Sequence, residues 1–320
     1  MKEIDRLNKE KNTLKKENDE LKKKRAEEKF ALENLKEKDL RTWTGFTMNQ
    51  FMVIFCFFRL SLCSEIKRKL SMSPENQLLL TLIKMRHGLT NDLLGFMFQC
   101  SGTTAGRIFN DCNTVMHLKA INCEIWPSKK QIADFMPPGF HRQYPKCRVI
   151  IDCVEYYIQK PSEPVQQQSS FSTYKNHNTV KSLIGIAPSG AISFISPLYN
   201  GSISDKDLTI KSGLMDKLET GDVVLADKGF YHLDETFEER GFSLATPILL
   251  KKKQFDIDER ALNKNVSNLR VHVERAIGRI KNFKILDRDL SISQMGNAEQ
   301  IHYVCAFLTL FLDPLIHANK

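Results

Sequence analysis

The chain has 320 residues, of which 42% are apolar and 27% are charged, a balance typical of folded globular domains. This composition excludes a disordered tail, a collagen-like chain and a small disulfide-stabilised protein. The net charge of +9 lies in the first half, because residues 43–150 hold 13 Lys/Arg against 6 Asp/Glu whereas residues 151–320 hold 20 against 21. The asymmetry predicts that one region binds a polyanion and that other chemistry takes place elsewhere.

The eight cysteines are scattered, and none forms a Cys-x-x-Cys pair. A zinc finger and a secreted disulfide framework are therefore not expected, and the thiols are predicted to be reduced and mostly buried. The most apolar runs, 51–58 and 304–312, are far shorter than the ~20 residues that span a bilayer, and the charged N-terminus does not resemble a signal peptide. We expect a soluble intracellular protein with no membrane partner.

Residues 1–42 carry a seven-residue repeat, interrupted at Glu28, in which four leucines share one heptad position. These are Leu7, Leu14, Leu21 and Leu35. A period of 3.5 residues keeps one seam towards a partner helix, so the segment predicts a coiled coil for homo-oligomerisation or for binding a partner protein. Three polar residues at the other core position leave a single solvated helix as the alternative.

Residues 43–145 are predicted to be helical, with a helix buried on most sides at 43–72 and a helix-turn-helix at about 73–118. Each of its three apolar stretches is preceded by a hydroxyl residue suited to a helix N-cap, and Gly88 suits the end of the first helix. The capping residues are Ser73, Thr90 and Ser101. A plain three-helix bundle is the alternative.

The third of these helices opens with Thr103, Thr104 and Arg107. Short hydroxyl side chains and a cation are typical of a recognition helix, whose N-terminal turn approaches base edges and phosphates. The positive charge of this region favours DNA binding over a plain bundle.

Residues 146–320 show the pattern of an α/β domain, beginning with a β-branched run at 149–154 that predicts a buried strand. The expected elements after it are a polar loop at 159–173, a hairpin at 183–195, a helix at 205–218, a strand at 223–226, a short helix at 235–240, a strand at 243–248, a basic loop at 251–253 and helices at about 266–284 and 298–312. This order predicts one mixed sheet with helices on its faces.

Three carboxylates stand out by position. Asp152 lies inside the first strand, where an unpaired buried carboxylate costs several kcal/mol. Asp227 directly follows a strand, at the end where ligand sites form in α/β sheets. Glu274 lies beside the apolar stripe of the long helix, although a surface ion pair with Arg270 is its alternative role. If the three converge, Mg²⁺ or Mn²⁺ is the expected partner, and two ions suit in-line displacement at phosphorus.

Five blocks of this domain, taken in order, are similar to a known family. They are Ile-Asp-Cys-Val-Glu at 151–155 with 159–162, and the blocks at 174–181, 201–206, 226–230 and 273–281. With the preceding helix-turn-helix, they resemble the DDE superfamily endonucleases of the PIF/Harbinger transposase type, closely over about 146–285. Related animal proteins often carry a zinc-binding domain before the coiled coil, so one interpretation is that the sequence is a truncated copy.

The resemblance implies an RNase H-like fold and a metal-dependent nuclease and strand-transfer centre. Asp152, Asp227 and Glu274 take the three acidic positions, with the two aspartates bridging two metal ions and the glutamate completing the second ion's ligands. It also implies a nuclear location, with shuttling through the cytoplasm left open. His177 and Lys181 either face this centre or have a structural role.

Double-stranded DNA is the expected partner on this hypothesis. Thr103, Thr104 and Arg107 would hold it together with the loop lysines. These are Lys251, Lys252 and Lys253. The alternative is a domesticated DNA-binding or scaffold protein that does not cleave. A hydrolase of small phosphate esters is not favoured, because no glycine-rich phosphate-binding loop is present.

Overall fold

The computed structural model of the chain describes residues 2–27, 30–65, 72–247 and 257–316. Helices occupy the first part of the chain. They are α1 (Lys2–Glu27), α2 (Glu37–Thr44), α3 (Met48–Glu65), α4 (Pro74–His87), α5 (Asn91–Phe98), α6 (Gly102–Ile121), α7 (Lys129–Asp134) and α8 (Pro138–Gln143). The second part alternates strands and helices, so the chain has the mixed α/β architecture expected from its sequence.

The elements of the second part, in chain order, are β1 (Cys147–Tyr157), α9 (Pro164–Ser170), β2 (Phe171–Ser172), β3 (His177–Ile186), β4 (Ile192–Ile195), β5 (Tyr199–Asn200), α10 (Asp205–Lys211), β6 (Val223–Leu225), α11 (Asp234–Glu239), β7 (Ser243–Ala245), α12 (Ile257–Lys281) and α13 (Met295–Leu308). Within the described residues they form one seven-stranded sheet in the order β2-β3-β1-β6-β7, with β4 and β5 also pairing with β3. The central strand β1 runs antiparallel to β3 and parallel to β6. The mixed sheet is thereby confirmed.

The N-terminal helix α1 is solvent-exposed wherever its side chains are described, including Leu7 and Leu14, which are 56% and 59% exposed. Pairing through this seam therefore stays a prediction. The heptad interpretation is wrong at Leu32 and Leu35, which lie beyond α1 and pack against the helical core. The backbone N–H of Leu32 donates to Asn76 Oδ1 at 2.8 Å, which ties this turn to α4.

The single helix expected at 43–72 is also wrong, because α2 ends at Thr44 and α3 begins at Met48. Gly45, with φ +84°, adopts the left-handed conformation that ends α2. No single helix among the described residues is long and apolar enough to cross a membrane, although Glu37–Thr44 and Met48–Cys63, bent by 60°, satisfy length and composition as a pair.

The helix-turn-helix is built as the capping pattern predicts. The side-chain oxygens of Ser73, Thr90 and Ser101 each accept the backbone N–H three residues further on. Gly88 ends α4 with φ +62°. Between α5 and α6 the turn is tight, since a Cβ on Gly95 would lie 2.7 Å from the carbonyl oxygen of Cys100.

Two corrections concern the second part of the chain. The polar loop expected at 159–173 contains α9 and β2, because Pro164 suits a first helical turn and Gln167 Nε2 donates to the Pro161 carbonyl at 2.7 Å. The helix expected at 205–218 ends at Lys211, and Gly213, with φ +81°, separates it from a short 3₁₀ turn. The hairpin is confirmed by the antiparallel pairing of β3 with β4.

The two faces of the sheet bury different cores. Ile150, Val154 and Tyr156 of β1 share a core with α4, α6, α12 and α13, whereas Val149 and Ile151 face a second core under α10 and α11. The helix-turn-helix therefore packs directly on the α/β part. The chain after α12 reinforces this contact, because the backbone N–H groups of Lys284 and Ile285 donate to carbonyls at the end of α4, at 3.0 and 3.1 Å.

Candidate functional site

Two carboxylates of the candidate site lie close to the pairing of two parallel strands, with Asp152 inside β1 and Asp227 just after the end of β6. Register pairs Ile150 of β1 with Leu225 of β6. Asp152 and Asp227 each follow this pair by two residues, so they lie level with each other on neighbouring strands. Their alignment is a consequence of parallel pairing.

Asp152 is the most deeply buried of the three acidic residues. The pKa of its carboxyl group is raised to about 6, chiefly by burial and to a smaller extent by the negative charges of Asp227 and Glu274. The positive charge of Arg270 and a 2.9 Å hydrogen bond from the Cys153 backbone N–H act in the opposite direction. Asp152 thus interacts electrostatically with both other carboxylates, although they lie far apart in sequence.

Asp227 occupies the turn after β6. Its Oδ1 accepts the Lys228 backbone N–H at 2.7 Å and caps a short 3₁₀ helix at Lys228–Leu233. The same oxygen lies 3.1 Å from Arg270 Nη1. The local backbone therefore orients this carboxylate towards α12.

Glu274 lies on α12, which packs against β1 and β3 through residues such as Val273 and Ile280. Its Oε1 is 3.6 Å from Arg270 Nη2, one helical turn earlier. The ion pair that was the alternative role for Glu274 is thus present. It is not a surface pair, because the Arg270 side chain is only 10% exposed and also contacts Asp227.

Three carboxyl groups form a donor set that suits Mg²⁺ or Mn²⁺, since hard cations prefer oxygen ligands. The buried Nε atom of Arg270 has no hydrogen-bond partner among the described residues, so the guanidinium at this site is incompletely paired. With Arg270 between Asp227 and Glu274, no group of three or more His, Cys, Asp or Glu side chains in the described ranges is arranged to hold a metal ion. The three carboxyl groups are chemically suited to bind a divalent cation. In this structure, the guanidinium of Arg270 lies between two of these candidate metal ligands, Asp227 and Glu274.

The opposite face of the sheet carries a second charged cluster. Lys181 Nζ lies 2.6 Å from Asp205 Oδ1 and 3.7 Å from Glu155 Oε1. Glu155 follows Asp152 by three residues on β1 and is the cross-strand partner of Lys181. Because side chains alternate along a strand, Glu155 and Lys181 point away from the candidate site. The structural role left open for Lys181 is the one its contacts support. His177, whose Nδ1 lies 2.9 Å from the Asn178 carbonyl oxygen and whose ring contacts Tyr157, likewise makes local contacts.

The predicted DNA-contacting residues of α6 differ in availability. Thr103 and Arg107 are exposed, one turn apart on the same face of the helix. Thr104 is half-buried, and its Oγ1 lies 2.8 Å from Ser101 Oγ within the cap. Thr103 and Arg107 are thus free to meet a ligand, whereas Thr104 also supports the helix start. Lys251, Lys252 and Lys253 lie outside the described residues.

Arg270 is the residue of the site whose importance the sequence did not reveal. Its spacing from Glu274 indicated a surface pair, and nothing in the pattern indicated that it also contacts Asp227. The sequence did contain one indication of this role. Arg270 is a basic residue that lies beside the apolar stripe of α12, one turn before the candidate metal ligand Glu274.

Comparison with known protein families matches two parts of the chain. Residues 151–309 match the family described as DDE superfamily endonuclease, and residues 69–119 match the family described as helix-turn-helix of DDE superfamily endonuclease. No curated protein and no solved structure gives a significant match. The two matches support a DDE-superfamily, transposase-like protein, and the endonuclease domain suggests nuclease activity in general.

Proposed function

Since the chain combines a DDE superfamily endonuclease domain with the helix-turn-helix of that superfamily, we propose that it is a metal-dependent DNA endonuclease of the PIF/Harbinger transposase type. The observation that carries this proposal is that Arg270 contacts both Asp227 and Glu274, and that all three residues lie within electrostatic reach of Asp152. Asp152 lies on the central strand β1, Asp227 follows the parallel strand β6, and Glu274 lies on α12, which packs on the sheet. This order of strands and helices supports an RNase H-like fold.

Asp152, Asp227 and Glu274 would hold one or two Mg²⁺ or Mn²⁺ ions. When bound, such ions supply Lewis-acid chemistry that activates water or a DNA 3′-hydroxyl and stabilises the leaving oxygen. The protein contributes the arrangement, since the parallel pairing of β1 and β6 places the two aspartates beside each other and the packing of α12 on the sheet brings Glu274 to them. Because these elements are packed on a buried core, the carboxylates are held without a large reorganisation.

Duplex DNA would be held by the exposed face of α6, with Thr103 and Arg107 towards the groove and Thr104 supporting the helix N-terminus. The lysines at 251–253 would add contacts to the DNA backbone, and salt would weaken these contacts. A DNA substrate accords with a nuclear location. The N-terminal helix α1 would join two copies or a partner protein.

The experiment is a nicking assay on supercoiled duplex DNA with Mg²⁺ and with EDTA. We expect nicking by the wild-type chain with Mg²⁺ only, and a loss of at least about 100-fold in Asp227→Asn, as removal of a group that stabilises the transition state commonly costs. The matched control is Asp216→Asn, an exposed aspartate of the same domain. Equal nicking by Asp227→Asn and the wild-type chain contradicts the assignment.

The alternative function, DNA binding without cleavage, is favoured by one observation. Arg270 already offsets part of the negative charge of the carboxylates, so the fold does not depend on a metal to bring them together. A gel shift that is independent of divalent metal, with no cleavage product, would support this alternative.

A further inference from the structure

Arg270 lies beneath the two carboxylates that it contacts. Its side chain is 10% exposed, whereas those of Asp227 and Glu274 are 42% and 55% exposed. The guanidinium therefore forms the floor of the site, and the carboxylates reach solvent above it. A ligand that enters from solvent meets the carboxylates first and the guanidinium behind them.

The contacts of Arg270 are those of a bridging cation. One nitrogen, Nη1, is 3.1 Å from Asp227 Oδ1, and the other, Nη2, is 3.6 Å from Glu274 Oε1. The ion pair with Glu274 alone does not explain the buried position of the Arg270 side chain, because an i,i+4 ion pair by itself would leave the side chain at the surface. A single positive charge offsets only part of the charge of three neighbouring carboxylates, so the site remains net negative and open to further cations.

The guanidinium is also incompletely satisfied where it lies. The Nε atom of Arg270 is buried and has no hydrogen-bond partner among the described residues. An unpaired buried donor is costly, so another orientation that reaches an acceptor would stabilise the side chain. Arg270 is thus held by its two ion pairs and would be released when those carboxylates gain other partners.

We propose that Arg270 is a positioning residue that takes the place of a divalent cation between Asp227 and Glu274, and that divalent metal must displace it. The inference rests on the proposed function, since it assumes that these carboxylates are metal ligands. Arg270 keeps the carboxylates assembled before metal binds, and it lowers the affinity for metal by competing for the same oxygens.

Calorimetric titration of the full chain with MnCl₂ tests the competition without reference to cleavage. We expect Arg270→Gln to bind Mn²⁺ about tenfold more tightly than the wild-type chain, because a competing positive charge is removed. Arg270→Lys keeps a positive charge and should remain within about threefold of wild type. The matched control is Arg275→Gln, an exposed arginine of the same helix, which should also stay close to wild type.

Thermal unfolding separates this role from a purely structural one. In EDTA, Arg270→Gln should unfold at a lower temperature than the wild-type chain, because three carboxylates are left without their cation. Saturating Mn²⁺ should remove the difference, since metal then offsets the same charges. A loss of stability that Mn²⁺ does not repair indicates that Arg270 acts only as a structural ion pair.

Besides that outcome of thermal unfolding, three results of the titration overturn the proposal. They are an unchanged or weaker affinity of Arg270→Gln for Mn²⁺, an equal gain in Arg275→Gln, and the absence of Mn²⁺ binding in every variant. Tighter binding by Arg270→Gln in a chain that never nicks DNA retains the inference and rejects the nuclease. Nicking that depends on Asp227, with unchanged Mn²⁺ affinity in Arg270→Gln, retains the nuclease and rejects the inference.

Discussion

The hydroxyl of Tyr156 lies 3.0 Å from Nδ1 of His302, in a fully buried contact between β1 and α13. The other ring nitrogen, Nε2, lies 2.9 Å from Ser182 Oγ on β3. This chain of polar groups crosses the core that joins the helical part of the protein to the sheet. Burial lowers the pKa of His302 to about 3, so the ring is neutral in the folded protein at ordinary pH.

The buried histidine predicts a loss of stability in acid. A histidine whose pKa is depressed by folding contributes its full stability above the ordinary pKa of 6.5, and this contribution falls as the pH decreases towards 3. The free energy of unfolding should therefore fall below pH 6.5 by up to about 1.4 kcal/mol per pH unit from this group. Urea titrations between pH 7.5 and 4.5 measure the decrease.

His302→Gln provides the comparison, because glutamine retains hydrogen-bonding groups and does not titrate. The stability difference between the wild-type chain and this variant should shrink as the pH falls, and substitution of the exposed His141 by Gln should leave the wild-type pH profile in place. Parallel pH profiles of wild type and His302→Gln would show that His302 is not the group responsible.

Asp152→Asn should stabilise the metal-free protein at neutral pH. A carboxyl group whose pKa is raised by folding contributes its stability below the ordinary value of 3.8 and loses it as the pH rises towards about 6. The ionised form of Asp152 therefore destabilises the folded protein at pH 7.5. Its removal should add about 1–3 kcal/mol to the free energy of unfolding in EDTA.

Thermal denaturation in EDTA at pH 7.5 and pH 4 measures this gain, which should shrink at the lower pH. Asp216→Asn, at an exposed position, is the control. The same change in stability for Asp152→Asn at both pH values would show that folding does not raise the pKa of Asp152.

Arg107→Gln should weaken binding to duplex DNA and make it less salt-dependent. The side chain is exposed on α6, which lies within the residues that match the helix-turn-helix family and is the helix predicted to contact DNA. Loss of one phosphate contact should lower the slope of log affinity against log salt by about 1. Fluorescence anisotropy at several salt concentrations measures the slope, with Lys211→Gln on the α/β part as the control for net charge.

Gly95→Ala should destabilise the helix-turn-helix. Its Cβ would lie 2.7 Å from a backbone carbonyl oxygen, so the turn between α5 and α6 must shift at a cost of about 1–3 kcal/mol. Gly278→Ala on α12 is the matched control, because no neighbouring heavy atom of the described residues lies within 4 Å of its new Cβ. That substitution should add up to about 1 kcal/mol through helix propensity. Chemical denaturation compares the two variants, and a neutral Gly95→Ala would show that the turn can relax.

Leu14→Glu should abolish association if α1 forms a coiled coil. The side chain is 59% exposed in the isolated chain, and a charge at a core heptad position opposes pairing. Light scattering after size exclusion should show a dimer or larger species for the wild-type chain and a monomer for the variant. Lys16→Glu, off the predicted seam, should leave the assembly intact. A monomeric wild-type chain at tens of micromolar would reject the coiled coil.

Many helices and strands could be predicted from the sequence, because they depend on interactions between residues close together in the chain. Hydroxyl caps at Ser73, Thr90 and Ser101 act on backbone groups three residues away, so they set the helix starts without help from distant parts of the chain. The β-branched run around Asp152 indicated a buried strand for a similar reason. Breaks at Gly45 and Gly213, in contrast, were missed, because a glycine permits a turn without requiring one.

The sequence identified the candidate acidic residues but did not determine the contacts between residues that lie far apart along the chain. It singled out Asp152, Asp227 and Glu274 as unusual positions for a carboxylate, because each conflicts with or borders an apolar pattern. Only the tertiary structure decided that parallel register brings the two aspartates level and that Arg270 reaches between Asp227 and Glu274 from below. Residues more than 40 positions apart meet through the packing of α12 on the sheet, and no local pattern encodes that contact.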